Sequence, residues 1–268
     1  AQIHTMSKVI LVTGGSSGIG KAVAHYFAQK GNQVIATSRG ISEVTQIPNL
    51  HSLSMDVRNE KSVAEVMDYI EKTFGSLDIL VNNAGLGLAG PLEFTSNEDA
   101  KAVFDTNVFG VLNVCRSAIP LLRNNSGGHI INITSIGGNF GLPFRGIYCA
   151  SKSAVNALSE SLSLELKRFG ILVSVIEPGD FKTEINQNRK APSFVDDKLY
   201  PKFEGALQQI KTEVDHGLEP IVIAKQIEKI INSKRPHLYY WVAKPVQRLS
   251  VILKRVLPGR LFERMLRK

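Results

Sequence analysis

Short apolar runs alternate with longer amphipathic stretches along most of the chain. The runs are four or five residues long and rich in Val, Ile and Leu, which is typical of strands buried on both faces of a parallel sheet. The stretches between them repeat apolar residues at helical spacing, and several end at a glycine. Predicted strands lie at 8–12, 33–36, 51–55, 78–82, 129–133 and 172–176, with a seventh candidate at 238–241, and predicted helices at 18–30, 60–74, 97–121 and 148–169.

This alternation predicts an α/β fold with a doubly wound parallel sheet and helices on both faces. The sequence has no internal repeat and no sign of a second core, so residues 6–243 are expected to form one domain. The irregular stretch 180–215 is too long for an ordinary loop, which predicts a partly helical lid over the substrate. Residues 244–268 are expected to form a basic amphipathic tail.

The positive charge of the chain is concentrated at its C-terminal end. The net charge is +8, but residues 234–268 hold ten Lys/Arg and a single acid, which places +9 there and −1 over the rest. A basic tail can bind nucleic acid, yet Phe262 is the only aromatic residue after Trp241, so base stacking has little support. No nucleic-acid partner is therefore expected.

Other classes of protein are disfavoured by features that the sequence lacks. It has no run of about 18 apolar residues and no signal-peptide pattern, so a cytoplasmic protein is expected. Cys115 and Cys149 lack metal-ligand spacing and the histidines are scattered, which predicts free thiols and no metal site. Residues 1–5 are expected to be leftovers of an expression vector ahead of a start at Met6.

A glycine-rich segment, Thr13 to Gly20 (TGGSSGIG), follows the first predicted strand and opens the first predicted helix. Glycines allow the backbone to turn tightly and to approach a pyrophosphate, which the helix N-terminus then stabilises. The spacing is GxxxGxG rather than the commoner GxGxxG. The predicted phosphate cradle therefore contains Gly14, Ser16, Ser17, Gly18, Ile19 and Gly20.

The end of the second predicted strand indicates which dinucleotide is bound. An acidic residue there normally holds the ribose 2′-hydroxyl, whereas a 2′-phosphate requires a cation. This chain has Ser38 and Arg39 at that point and no acid before Glu43. The Arg39 guanidinium matches phosphate geometry, so NADP(H) is the predicted cofactor.

Ser135, Tyr148 and Lys152 form the second group of candidate residues. Tyr148 and Lys152 are four residues apart on a predicted helix and share a face. Ser135 comes just past the end of the fifth predicted strand, at the edge where parallel sheets bind ligands. A tyrosine of pKa about 10 becomes usable as an acid or base when a nearby ammonium stabilises its phenolate.

With these residues in order, the chain resembles the short-chain dehydrogenase/reductase family over nearly its whole length. The resemblance implies a single-domain Rossmann-type fold with a seven-stranded parallel sheet, and usually a homodimer or homotetramer. The matching segments are 13–20, Asp56-Val57, Asn82 to Gly85, Asn107, Ser135, Tyr148 to Lys152, and Pro178-Gly179.

The same resemblance implies roles for individual residues. Tyr148 would exchange a proton with the substrate oxygen, Lys152 would bind the nicotinamide ribose and lower the Tyr148 pKa, and Ser135 would hydrogen-bond that oxygen. Asn107 would hold a water in the proton relay. Further cofactor contacts would come from Asp56 at the adenine, from Asn83, Ala84 and Gly85 along the adenosine, and from Pro178, Gly179, Phe181 and Thr183 at the nicotinamide. Val57 and Thr134 are also expected to contact the cofactor.

The candidate substrate wall is largely apolar, and it has no Arg/Lys cluster suited to a phosphorylated sugar. It comprises Leu86, Leu88, Phe140, Leu142, Phe144, Phe181, Ile185 and Phe194, of which Leu86, Phe140, Leu142 and Phe181 are the expected substrate contacts beside Ser135 and Tyr148. A lipophilic ketone or alcohol is the predicted substrate.

The tail and the reaction each leave alternatives open. A basic amphipathic helix can lie on an anionic membrane surface, or it can pack on the body or across a dimer. The alternative functions are a 3-oxoacyl thioester reductase and a non-catalytic NADP(H)-sensing regulator. Such a sensor would be expected to lack Tyr148 or Lys152, and this chain has both.

Overall fold

The computed structural model of the protein describes residues 7–40, 47–125, 127–184 and 189–266. Residues 1–5 and the pocket candidate Ile185 lie outside the described residues. The described residues form one seven-stranded parallel sheet of order β3-β2-β1-β4-β5-β6-β7, which confirms the predicted fold class. Its strands are β1 (Val9–Thr13), β2 (Gln33–Ser38), β3 (Leu50–Ser54), β4 (Ile79–Asn82), β5 (Gly128–Ile133), β6 (Ile171–Pro178) and β7 (Tyr239–Val242).

Helices cover both faces of this sheet. They are α1 (Gly18–Gln29), α2 (Glu60–Phe74), α3 (Asn97–Phe104), α4 (Gly110–Asn124), α5 (Gly146–Leu166), α6 (Phe203–Asp215), α7 (Ile221–Ile231), α8 (Pro245–Val256) and α9 (Gly259–Leu266).

Successive residues of each central strand point to opposite faces and enter separate cores. In β1, Leu11 packs in the core that α2, α4 and α5 cover, whereas Ile10 and Val12 pack in the core that α1 and α7 cover. All three residues are fully buried. Burial on both faces explains why the strands are continuously apolar in sequence.

Two helical regions differ from the sequence prediction. The helix predicted over 97–121 is divided into α3 and α4 by a π-helical turn, Asp105–Phe109. Such turns insert one residue into the helical repeat, so the faces before and after them no longer align. Helix α7 was not predicted, because its Ile-rich run suits a buried strand as well as a buried helix.

The C-terminal tail packs on the body through an apolar cluster, in which two tail side chains are fully buried. Val251 of α8 and Phe262 of α9 are buried, and the Phe262 ring meets the Phe140 ring edge-on at a centroid distance of 5.2 Å. Most other apolar residues of these helices remain exposed: Val246, Leu249, Ile252, Val256, Leu261 and Met265. Within the described residues, no helix combines the length and apolarity needed to cross a membrane.

Candidate active site

The glycine-rich turn after β1 is closely packed against the start of the loop after β4. Gly14 has φ +66° and Gly18 has φ +51°, both in the left-handed region that favours glycine. A Cβ on Gly14 would lie 2.9 Å from the Ala84 Cα, and a Cβ on Gly20 would lie 2.1 Å from the Gly14 carbonyl oxygen. Side chains at these positions would therefore fill the turn. Because glycine has no side chain, the backbone N–H groups of the α1 N-terminus stay open to a phosphate.

Asn83 holds this turn in place. Its Nδ2 donates to the carbonyl oxygens of Thr13 at 3.0 Å and Gly14 at 3.1 Å. The Thr13 Oγ1 in turn accepts the backbone N–H groups of Asn83 and Ala84, both at 3.0 Å. The Nδ2 of the Asn83 amide is thus committed to the protein backbone, where it fixes the glycine-rich turn.

A cavity of about 870 Å³ extends from the glycine-rich turn to Tyr148. Of the predicted cofactor contacts, Gly20 is the one that does not line it, because Gly20 is buried behind Gly14. The predicted contacts that do line it are Gly14, Ser16, Ser17, Gly18, Ile19, Ser38, Arg39, Asp56, Val57, Asn83, Ala84, Gly85, Thr134, Tyr148, Lys152, Pro178, Gly179, Phe181 and Thr183.

Two arginines stand at the β2 end of this cavity. Arg39 is exposed there, beside Ser38. Arg58, which the sequence prediction missed, holds Asp56 with its Nη2 2.6 Å from Oδ2 and its Nε 2.9 Å from Oδ1. The hydrogen bonds from Arg58 lower the pKa of Asp56 below its usual value. Asp56 is therefore an ionised acceptor that is paired with Arg58 and lines the cavity, and its contact with adenine stays a prediction.

Ser135 and Tyr148 meet at the other end of the cavity. Ser135 caps a short 3₁₀ turn that follows β5, and its Oγ accepts the Gly137 N–H at 3.1 Å. Burial raises the pKa of Tyr148 above its ordinary value, while a hydrogen bond with Ser135 and the charge of Arg145 oppose that rise. The two hydroxyls together can present donors to a single oxygen atom of a ligand.

Lys152 lies one helical turn beyond Tyr148 and is 7% exposed. Its Nζ donates to the Ile133 carbonyl oxygen at 3.1 Å and lies 5.8 Å from the centroid of the Tyr148 ring. Burial lowers the pKa of Lys152 to about 8. Besides burial, Ser135, Arg145, Cys149 and Arg189 act on the Tyr148 pKa.

Asn107 lies behind the cavity wall rather than on it. It sits in the π-helical turn, is 1% exposed, and its side chain exchanges hydrogen bonds with the Leu86 backbone at 2.7 and 3.0 Å. A Cβ on Gly85 would lie 3.5 Å from the Asn107 Oδ1 and 3.6 Å from the Lys152 Nζ. Asn107 and Lys152 therefore approach the same short stretch of backbone from two sides.

The expected substrate wall is only partly correct. Leu86, Leu88 and Phe181 line the cavity, but Phe140 and Leu142 do not, because they pack in the cluster under the C-terminal helices. Phe144 and Phe194 also lie off the cavity, packing against Phe203 and Phe94 respectively. The sequence could not show this, since the helices that cover Phe140 come more than 100 residues later in the chain.

The cavity is also more cationic than the sequence suggested. Arg145, Arg189 and Lys190 line its substrate end, together with Asp180 and Val214. The prediction that this wall holds no Arg/Lys cluster is therefore wrong. Arg145 was detectable as the residue three positions before Tyr148, whereas the position of Arg189 depends on how the chain folds back over the cavity.

The family model that describes short chain dehydrogenases matches residues 8–193. A 3-ketodihydrosphingosine reductase from Bacteroides thetaiotaomicron is 38% identical over 262 residues, which cover 97% of each chain. Retinol dehydrogenase 8 from Bos taurus is 33% identical over 251 residues, covering 86% of this chain and 80% of that protein.

Solved structures of the family superpose closely on the chain. A short-chain dehydrogenase/reductase from Burkholderia phymatum in complex with NAD has a TM-score of 0.81 at 27% identity, covering 92% of each chain. The protein ElxO with NADP bound has a TM-score of 0.73 at 29% identity, covering 89% of this chain and 98% of that one. The chain therefore belongs to the short-chain dehydrogenase family of oxidoreductases, whose members bind a nicotinamide cofactor.

Proposed function

We propose that the protein is an NADP(H)-dependent oxidoreductase that interconverts a lipophilic ketone and the corresponding alcohol. The observation that carries the proposal is one continuous cavity that joins the glycine-rich turn to the paired hydroxyls of Ser135 and Tyr148. A bound nicotinamide supplies or accepts the hydride at the substrate carbon. The residues of the chain have to position the substrate oxygen and manage its proton.

Tyr148 is the proposed acid and base. Charge builds on the substrate oxygen as its carbon is reduced, so a donor that already points at this oxygen stabilises the transition state. Tyr148 would give up its proton to that oxygen and Ser135 would donate a second hydrogen bond. In the oxidation direction, the same phenolate takes the proton from the alcohol.

Lys152 and Asn107 are proposed to assist the proton transfer at Tyr148. Lys152 would donate a hydrogen bond from its ammonium to the nicotinamide ribose, and its positive charge would favour the ionised form of Tyr148. Asn107 fixes the Leu86 backbone and would hold a water that connects Lys152 to solvent. A low pKa for Lys152 suits such a relay, because the group can release its proton near neutral pH.

Arg39 is the proposed determinant of NADP(H) preference. Its guanidinium stands beside the Ser38 hydroxyl at the end of β2, where the ribose 2′ substituent of a bound dinucleotide would lie. Among the described residues, the carboxylate on which the charge of Arg39 acts is Asp56, and Asp56 is already paired with Arg58. The relatives bind NAD in one structure and NADP in another, so the choice depends on this chain's own residues.

The proposed substrate is lipophilic because the two curated relatives are named for a sphingoid ketone and for retinol. Leu86, Leu88, Phe181 and Val214 provide apolar surface around Tyr148. Val214 comes from α6, within the segment 180–215, which we propose closes over the substrate and excludes water.

The exposed faces of α8 and α9 are the proposed contact with an anionic membrane surface. Leu249, Ile252 and Val256 on α8 are 50%, 45% and 68% exposed. Cationic side chains surround this apolar strip, namely Arg248, Lys254, Arg255, Arg260 and Arg264. Apolar insertion combined with attraction to anionic lipid is the mode of binding that such a surface favours. The protein would thus be cytoplasmic and membrane-peripheral.

Self-association is also proposed, as a homodimer or homotetramer. Phe109 and Leu164, which are 53% and 78% exposed, give the body an apolar surface away from the tail. Side chains of this size that are exposed in a monomer would be buried if they lay at an interface between copies of the chain.

Replacing Tyr148 by Phe removes the proposed acid and base without removing the ring. We expect Tyr148→Phe to lower kcat by about 100- to 10,000-fold, the range that positioned proton transfer contributes. NADPH affinity, measured by the fluorescence of bound nicotinamide, should stay within about threefold of the wild-type value. The matched control is Tyr69→Phe on α2, which should leave kcat unchanged. Tight NADPH binding by the wild type without turnover of any ketone, from small polar to steroid-sized, would instead favour the sensor function.

Replacing Arg39 by Asp should shift the cofactor preference towards NADH. We expect the ratio of kcat/KM for NADPH to that for NADH to fall at least about 100-fold, because a charge-assisted contact is lost and a repulsion is gained. Arg39→Lys keeps the positive charge but loses the planar pair of guanidinium N–H donors, so it should retain part of the preference for NADPH. An unchanged ratio in Arg39→Asp would disprove the role of Arg39.

Replacing Lys152 by Met should stabilise the cofactor-free protein while it abolishes turnover. The folded-state pKa of Lys152 is about 8, below the value of about 10.4 expected for the unfolded chain. Between these values the unfolded chain binds more protons, so the stability of the wild type rises with pH across this window and is lowest below pH 8.

We therefore expect Lys152→Met to raise the free energy of unfolding at pH 7 by about 2 kcal/mol, after allowing for the lost hydrogen bond to Ile133. The gain over wild type should shrink as the pH rises towards about 10. Urea unfolding at pH 7 and pH 9.5 measures both effects. Lys61→Met, at an exposed position on α2, is the control that should show neither. Equal stability of wild type and Lys152→Met at pH 7 would contradict the prediction.

Polar substitutions on α8 should abolish membrane binding. We expect wild-type protein to co-float with phosphatidylglycerol vesicles but not with phosphatidylcholine vesicles, and the triple variant Leu249→Ser/Ile252→Ser/Val256→Ser to stay unbound. Leu199→Ser, at another exposed apolar position, is the control. If the triple variant changes the sedimentation coefficient and vesicles have no effect on wild type, the face is an interface between copies of the chain.

A further inference from the structure

The substrate end of the cavity contains two guanidinium groups that the proposed hydride chemistry does not use. Arg145 directly precedes α5 and is three residues before Tyr148. Arg189 adjoins Lys190, whose backbone pairs with the strand-like segment 87–89 through hydrogen bonds of 2.9 and 3.0 Å. Both arginines line the cavity beside Tyr148. Different parts of the fold therefore fix the two arginines, and both place a guanidinium near the Tyr148 hydroxyl.

In this position, the guanidinium of Arg189 has an N–H group without a hydrogen-bond acceptor among the described residues. Its Nη1 is fully buried and finds no hydrogen-bond acceptor in the part of the chain that the structure describes. Burial lowers the pKa of Arg189, and the like charge of Arg145 lowers it further. Leaving a charged donor buried without an acceptor is unfavourable, so this N–H group requires a partner that the described residues do not provide.

The acids around the two arginines do not supply the missing acceptor. Glu213 of α6 contacts Arg145 at a long 3.4 Å and also accepts a hydrogen bond of 2.8 Å from Gln209. Asp180 accepts from Gln247 of α8, and burial, reinforced by the charge of Glu213, raises the Asp180 pKa. Glu98 and Glu184 also line the cavity, but no hydrogen bond joins either of them to Arg189 among the described residues.

We propose that Arg145 and Arg189 bind a carboxylate of the substrate, which makes the substrate an amphiphile with its anionic group near the reacting carbon. This proposal rests on the proposed oxidoreductase function and deepens it. A guanidinium presents paired N–H groups that match the two oxygens of a carboxylate. The apolar part of the substrate would lie along Leu86, Leu88 and Val214, and the carboxylate would accept from the buried Nη1.

The same charges make the site selective among lipophilic ketones. A substrate with an ammonium group beside the carbonyl would be repelled by both arginines. A neutral ketone would leave the Nη1 of Arg189 buried and unpaired, because it offers no strong acceptor. The chain should therefore favour a long-chain 3-keto or 3-hydroxy acid over its ester and over an amino ketone of equal length.

Matched substrates test this selectivity directly. Oxidation by NADP⁺ is compared for racemic 3-hydroxydodecanoate, its methyl ester and 2-dodecanol. Reduction by NADPH is compared for 3-oxooctadecanoate and 3-ketodihydrosphingosine, which have equal chain length. For the wild type we expect kcat/KM for the acid to exceed that for the ester by about 10- to 100-fold, the worth of one or two charge-assisted hydrogen bonds.

In Arg189→Met the acid-to-ester ratio should fall to within about threefold of unity, and in Arg145→Met it should fall about tenfold. Effects of these substitutions on the Tyr148 pKa act on both substrates and cancel in the ratio. Arg116→Met on α4 is the matched control, because Arg116 is paired with Glu60 at 3.1 Å and does not line the cavity. It should leave the ratio unchanged.

A binding measurement separates this proposal from the proposed function. Isothermal titration of dodecanoate into the NADPH-loaded protein should show about tenfold weaker binding to Arg189→Met than to wild type, and no such difference for dodecanol. A wild-type acid-to-ester ratio near one, an unaltered ratio in Arg189→Met, or preferred turnover of the sphingoid ketone would overturn the proposal. If no substrate is turned over, the oxidoreductase function fails, and the dodecanoate titration still decides the role of the arginines.

Discussion

Thr13 and Asn83 join the carboxyl ends of β1 and β4, the two strands between which the order of the sheet reverses. In an open α/β sheet this reversal creates a crevice, because the crossovers on its two sides run in opposite directions. Four hydrogen bonds link the Thr13–Gly14 backbone and the Thr13 hydroxyl to Asn83 and Ala84 across it. They fix the width of the crevice, and with it the position of the turn that would hold the pyrophosphate. Gly14 and Gly20 are required in that turn because a Cβ on either of them would meet Asn83 or Ala84.

The far end of the crevice is built from buried charge, which is unfavourable for folding. Lys152 and the Nη1 of Arg189 are both buried, and burial disfavours the charged form of each group. A protein selected for stability alone would replace them by apolar side chains of similar volume. Their presence beside Tyr148 therefore indicates that the site is organised for a ligand that completes their interactions. Strongly perturbed ionisable groups in a cleft are typical of active sites for this reason.

The parts of the site that the sequence revealed are those set by short-range geometry. Tyr148 and Lys152 share a face because they are four residues apart on one helix, and the glycines stand at fixed spacing between a strand and a helix. The errors concern contacts made across the fold. Phe140 was expected to touch substrate, but Phe262 covers it from the other end of the chain. Arg189 was overlooked, because its approach to Tyr148 depends on the pairing of Lys190 with residues 87–89 and not on any local pattern. The division of the predicted helix 97–121 was missed because a π-helical turn has no distinctive sequence signal, although it determines where Asn107 points.

The C-terminal tail contacts the wall of the cavity directly. Gln247 in the first turn of α8 donates to Asp180, which lines the substrate end, and a Cβ on Gly179 would lie 2.1 Å from the Gln247 Oε1. The segment that carries the exposed apolar face is therefore packed directly on the wall that the substrate would touch. An amphiphilic substrate partitions into a membrane with its anionic end at the interface, and a protein resting on that interface through α8 would hold its cavity wall close by. The basic residues of the tail and the arginines of the cavity would then act on the same type of molecule, the first by drawing the protein to an anionic surface and the second by binding one anionic group.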